Sequence, residues 1–226
     1  MTYDLRRERE IGVNAMLEAA HELRRFERVL ESGELQSKTK VLGEIVTAAD
    51  HAINSLLVRR INESFQHDAI CAEEGSPCDN VNAHRRWFID PIDGTRSFVS
   101  GKPGYSIMLG LVIDGVPVLG FVHDPSSGEL WMAQRGQGII SATGTCLPPP
   151  ESPRRNLLWS RFARTVSPVS IRDSLMLDGV VAYESIGLRA LAMARGDGVA
   201  FLSLPGSPKR WDTAAAHVLL HEAGAR

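Results

Sequence analysis

What this 226-residue sequence lacks narrows it first. It has only three cysteines, Cys71, Cys78 and Cys146, an odd number without the paired spacing of a disulfide framework or a zinc knuckle, so reduced thiols are expected. It lacks an excess of charge of either sign: 25 Lys and Arg stand against 27 Asp and Glu, a formal net charge of −2. With no global field to attract a polyanion, nucleic acid is not expected as a main partner. No apolar run approaches the roughly 18 residues needed to span a bilayer, and the opening MTYDLRRERE is too charged for a secretory signal. A cytoplasmic protein with no membrane partner is expected. Internal repeats are absent, and so is low complexity beyond one proline run. What is present is 43% hydrophobic content, enough over this length for a sizeable core in one large domain or two small ones.

Over residues 5 to 31, Ile11, Met16, Leu17, Leu23, Phe26 and Leu30 recur at near-helical intervals among charges, which predicts a long amphipathic helix ended by Gly33. A second helix is predicted over 49 to 63, with Ile53, Leu56, Leu57 and Ile61 on one side. AICAEE and RRWFI then read as short strands that both end in acid, the way α/β proteins bring polar chemistry to a sheet edge. From 105 to 136, three strand-like runs divided by Asp114-Gly115 and a Pro-Ser-Ser-Gly turn predict an antiparallel meander. The proline-rich LPPPESPRR, 147 to 155, is the candidate boundary between an N-terminal α+β part, 1 to 146, and a C-terminal α/β part, 154 to 226. In the second part, strands at NLLWS, VVAYES and VAFLSL alternate with a helix over 186 to 195 capped by Gly196, and a last helix runs from Asp212 to about Glu222.

The stretch WFIDPIDGTRSFVSG sets Asp90 and Asp93 three residues apart around Pro91. Two adjacent carboxylates repel, and one is driven towards protonation unless a cation neutralises the pair. Magnesium does this well: it takes oxygen ligands and shares carboxylates with phosphate and water. Pro91 fixes one backbone angle and helps aim both acids at one point, and the Ile92 carbonyl offers a further oxygen. Gly94 and Thr95 then present N–H groups where a helix begins, a favourable place for phosphate. Blander readings stand beside these. An Asp-x-x-Asp loop pair is commonly a solvated turn, Glu73 and Glu74 can form a solvated acidic turn, and Asp212 suits a helix N-cap. His217 and His221 lie four apart but lack the Glu of a zinc-protease helix, since Val218 takes its place, and RGQG at 135 to 138 reads as a hairpin turn.

VTAAD ending at Asp50, EE at 73 and 74, DPIDGTRSF from 90 to 98 and WDTAAAHVLLHEAG from 211 to 224 together resemble the ordered motif set of the inositol monophosphatase family over most of the chain. That family comprises magnesium-dependent, lithium-sensitive phosphatases and includes bisphosphate nucleotidases and a class of histidinol phosphatases. The resemblance implies a layered α/β/α/β/α sandwich. It implies that Glu73, Asp90, the Ile92 carbonyl, Asp93 and Asp212 hold two or three Mg²⁺ ions, and that Glu73 with Thr95 orients and deprotonates the attacking water. Asp50 then bonds the threonine hydroxyl, and Gly94 and Thr95 cradle the phosphate. The family's usual TNF or KEF after DGT is RSF here, which places Arg96 and Ser97 beside the phosphate. SFVSGKP is similar to the histidinol phosphatase branch and SPKRWDTAA to the inositol phosphatase and nucleotidase branches, with an inositol monophosphate-like substrate set first. YESIGLRALAMARGDG resembles the family's substrate-side segment and makes Glu184 and Ser185 pocket candidates. Relatives continue through a further strand and helix after EAGAR, and a homodimer is expected. The rival class is a regulatory binding protein on the same fold.

Overall fold

The N-terminal apolar stripe folds into helix α1, Arg6–Ser32, which buries Met16, Ala19 and Leu23. The structure is a computed structural model that describes residues 3–32, 37–39, 45–75, 83–160, 166–202 and 208–225. The expected helix stop at Gly33 and the Cys78 thiol lie outside the described residues. Two short antiparallel strands, β1 (Ser37–Thr39) and β2 (Ile45–Thr47), precede helix α2, Ala48–Ser64.

A seven-stranded sheet follows in chain order: β3 (Ala69–Ala72), β4 (Arg85–Asp93), β5 (Ser106–Ile113), β6 (Val116–Asp124), β7 (Glu129–Gln134), β8 (Gly138–Ser141) and β9 (Cys146–Leu147). Strands β3 and β4 are parallel and every later pair is antiparallel, so the predicted meander is present and extends by two strands. A five-residue helix, α3 (Thr95–Val99), lies between β4 and β5. After the proline run comes a small parallel sheet of order β11-β10-β12, made of β10 (Asn156–Trp159), β11 (Gly179–Ala182) and β12 (Ala200–Phe201). Helix α4 (Pro168–Ser174) joins the first two strands, α5 (Ile186–Ala194) leads to the third, and α6 (Arg210–Glu222) ends the described chain. Sequence periodicity missed α4, whose seven residues carry no apolar stripe, although Ser167 caps it and Pro168 opens it.

Helices α1 and α2 cover one face of the large sheet, and α6 with α5 covers the other. Helix α4 lies on the small sheet. This is the expected α/β/α/β/α sandwich. Helix α6 approaches the sheet backbone closely because Gly120 faces it: a Cβ there would stand 2.6 Å from the Ala215 carbonyl oxygen.

Two expectations need correction. Cys71 is disulfide-bonded, whereas Cys146 is free and exposed, so reduced thiols do not hold for Cys71; counting cysteines carries no information on which ones the fold brings together. Asp212 is not an N-cap. Helix α6 begins earlier, Lys209 occupies the cap, and the Asp212 carboxylate reaches back to accept the Lys209 N–H at 2.7 Å. Among the described residues, no helix is long and apolar enough to cross a membrane.

Candidate functional site

Strand parity decides where the acids emerge. In β4, Trp87 and Ile89 join the core beneath α1 and α2, while Phe88 packs with Cys71, Val112 and Ala214 beneath α6. Asp90 follows Phe88 by two residues and so faces the α6 side, 2% exposed. Pro91 has no N–H to continue the ladder, the register shifts, and pairing resumes with Asp93 opposite Ser106. Parity also separates the two glutamates. Glu73 donates its N–H to the Ile89 carbonyl at 3.1 Å, which extends the ladder one residue on the face of Cys71. Glu74 turns towards α2: its carbonyl accepts from Asn54 Nδ2 at 2.5 Å, and its buried carboxylate lies 3.9 Å from His51 Nδ1. Asp50, in the first turn of α2, is buried as well.

The electrostatics show which acids meet. Burial raises the Asp90 carboxyl well above the ordinary carboxylate range, and the charges of Glu73, Asp93, Asp212 and Asp50 push it further. Four motifs distant in sequence therefore converge on one side chain. Asp90 Oδ1 is buried and, among the described residues, has no hydrogen-bond partner. Asp93 is also raised by burial, but the Ser185 hydroxyl, the Gly187 N–H, Arg189 and the Ile186 N–H all oppose that rise. Ser185 Oγ donates to Asp93 Oδ2 at 2.6 Å and Gly187 N–H does so at 3.1 Å. In kind these groups suit a hard divalent cation: every donor is an oxygen, and Asp90 carries a lone pair that none of the described residues satisfies. Among the described residues, however, no three His, Cys, Asp or Glu side chains are drawn in tightly enough to hold an ion. Asp93 leans on α5, and Asp212 reaches back to Lys209.

The remaining candidates fall into two groups. Gly94, at φ 92°, forms the tight turn into α3, and Thr95 opens that helix with its hydroxyl donating to the Ile92 carbonyl at 2.9 Å. Arg96 is exposed, and Glu184 is half-buried with its side chain over Gly94. Ser97 and Ser185, in contrast, point inward at 1% and 0% exposure. Ser185 caps α5, bonds Asp93 and shares a 2.7 Å hydrogen bond with Ser106 Oγ, so it stands behind the carboxylates rather than on an open wall. Elsewhere, RGQG is a hairpin turn whose Gly136 and Gly138 N–H groups donate to Glu222, and His221 pairs with the same carboxylate.

Sequence reasoning missed Ser106, Ser160, Gly187 and Arg189. One signal was available: Arg189 is a lone charge within the otherwise apolar IGLRALAMA, and such a residue needs buried partners. No local pattern marks Ser106, whose role depends on a residue 79 positions away.

The model of the inositol monophosphatase family matches residues 4–226. The chain belongs to that family. Among curated relatives, a protein named histidinol-phosphatase from Chlorobaculum parvum is 43% identical over 95 residues, which span 42% of this chain and only 36% of that protein. The Nus factor SuhB of Vibrio cholerae is 29% identical over 207 residues, 87% of this chain and 76% of that one. Among solved structures, an IMPase from Thermotoga maritima superposes with a TM-score of 0.79 at 27% identity, covering 96% of this chain and 83% of that chain.

Proposed function

We propose that this family member is a Mg²⁺-dependent phosphomonoesterase that hydrolyses a small-molecule phosphate with water. The observation that carries this reading is Asp90, a buried carboxylate with an orphaned oxygen on which the charges of four other acids converge. Such a cluster is costly without a cation and suited to one. Glu73, Asp90, the Ile92 carbonyl, Asp93 and Asp212 would hold two or three magnesium ions. When bound, magnesium supplies positive charge that offsets the phosphate's own and polarises its P–O bonds.

The chain's own groups do the rest. The N–H groups of Gly94 and Thr95 hold the phosphoryl oxygens at the start of α3. Thr95 orients the attacking water and Glu73 takes its proton, with Asp50 behind them. The water oxygen forms the new P–O bond in line with the ester oxygen, whose bond to phosphorus breaks; the alcohol leaves with a proton from solvent, and inorganic phosphate departs. Arg96 lies beyond the cradle, where it would meet a second anionic group of a bisphosphate. The resemblance puts inositol monophosphate ahead of a 3′,5′-bisphosphate nucleotide and histidinol phosphate. Phosphate release from those three esters, compared with Mg²⁺ and with EDTA, tests the reading: Mg²⁺-dependent turnover of at least one is expected.

A regulatory binding role is the second reading, favoured by the Nus factor name of the Vibrio cholerae relative. A folded protein that turns over no phosphate ester at any Mg²⁺ concentration would support it over the phosphatase.

A further inference from the structure

The small sheet brings polar side chains of its own to one edge. Strands β10 and β11 run parallel and end side by side at Trp159 and Ala182. The C-terminal ends of parallel strands are where α/β sheets deliver polar side chains to ligands. Ser160 follows β10 and Glu184 follows β11, and Ser160 Oγ donates to Glu184 Oε2 at 3.3 Å. The Glu184 stem lies against the phosphate turn: a Cβ on Gly94 would stand 3.3 Å from its Cγ, and a Cβ on Gly104 3.6 Å from its Cβ. Its carboxylate is therefore about one side chain from the residues proposed to cradle phosphate.

The charges around Glu184 are Asp93, Arg189 and Arg96. Arg189 is engaged from behind: it is 4% exposed, donates to the carbonyls of Ser185 and Leu202 at 3.3 and 3.0 Å, and lies over the Phe201 ring at 5.3 Å. It is fixed in the wall; burial first, then Asp93, raise the Glu184 carboxyl above the ordinary range, and the Ser160 bond and the charges of Arg189 and Arg96 oppose that rise. Arg96 is exposed on the short helix after the turn. Water attack on phosphorus makes no use of Glu184, yet the fold sets this carboxylate-bearing side chain against Gly94 and Gly104, beside the proposed phosphate cradle. A neutral hydroxyl meets such a group with an ordinary hydrogen bond, whereas an ammonium meets it with a charge-assisted one roughly twice as strong.

We propose that Glu184, steadied by Ser160, selects the leaving group and favours phosphate esters of amino alcohols over those of neutral polyols. The inference rests on the phosphatase reading, and it places an amino-alcohol phosphate ahead of the inositol phosphate that the resemblance puts first.

Two nearly isosteric probes isolate the ammonium: 2-aminoethyl phosphate and 2-hydroxyethyl phosphate. Their kcat/KM values, measured with Mg²⁺ for the wild type and for Glu184→Gln, give a preference ratio for each protein. The wild type is expected to favour the amino ester about tenfold, the scale of one charge-assisted hydrogen bond. Glu184→Gln should bring the ratio close to one. Equal efficiency on both esters in the wild type overturns the inference and leaves the phosphatase reading intact, and so does a wild-type preference that survives in Glu184→Gln. No Mg²⁺-dependent phosphate release from either ester, or from p-nitrophenyl phosphate, overturns both. The wild-type ratio needs no variant, so a folding defect in Glu184→Gln does not shield the inference.

Discussion

Asp90 and Asp93 stand three residues apart on one strand end, in opposite surroundings. Asp90 faces the start of α6 with a buried oxygen that none of the described residues satisfies and four acids pressing on it. Asp93 faces the start of α5, where a serine hydroxyl, two backbone N–H groups and a buried arginine answer its charge. One side of the site is compensated by the protein itself, and the other is left for something to complete. A buried charge is tolerated where the fold supplies partners; where it supplies none, a ligand is the natural partner. His123 on β6 sharpens the contrast. Both its ring nitrogens are buried without partners among the described residues, and burial first, then Arg24, lower its pKa to about 4. An unpartnered base of this kind becomes neutral and needs no ligand.

The largest expected effect follows from removing the uncompensated charge. Asp90→Asn should reduce Mg²⁺-dependent kcat/KM by roughly 100- to 1,000-fold while raising Tm in chelator, because it removes like-charge repulsion. A lower Tm in chelator would mean that Asp90 is already compensated. The histidine gives the next effect, with a sign that can be worked out. Its folded-state pKa of about 4 lies below the unfolded value near 6.5, so the unfolded chain binds the extra proton first and stability falls as pH drops through that window. The loss should reach about 3 kcal/mol, and His123→Leu should flatten the Tm profile between those pH values. A profile as steep in His123→Leu as in the wild type would assign the acid sensitivity to other groups.

Gly120→Ala tests whether the α6 side depends on close approach. The new Cβ would meet the Ala215 backbone, costing about 1 to 3 kcal/mol and moving the helix that carries Asp212; urea unfolding and the Mg²⁺ dependence of activity read the two consequences. The smallest effect is expected on the compensated side. Ser185→Ala removes an N-cap worth about 1 kcal/mol and one of Asp93's bonds, and should weaken the apparent Mg²⁺ affinity roughly 10-fold. A stability loss with unchanged Mg²⁺ affinity would make Ser185 a helix cap only.

Much of this was legible because the acids are carried by local patterns. The apolar strand of β4, Pro91 and the Gly-Thr turn mark the end of a strand in the sequence itself, and the 3.6-residue stripe of α1 needs no tertiary context. The partners of those acids were less legible. Ser106 and Ser185 meet across 79 positions, and whether Asp212 caps its helix or is its third residue depends on where the chain enters α6. Helix α4 was missed because it buries no residue and so has no stripe to read. The Cys71 disulfide was missed because spacing cannot report proximity.

The central claim is that the carboxylates converging on Asp90 form a divalent-cation site, and calorimetric titration of Mg²⁺ into the metal-stripped protein tests it most directly. Saturable binding in the wild type that Asp90→Asn loses is the predicted result. No binding to the wild type, or equal binding to both proteins, would contradict it.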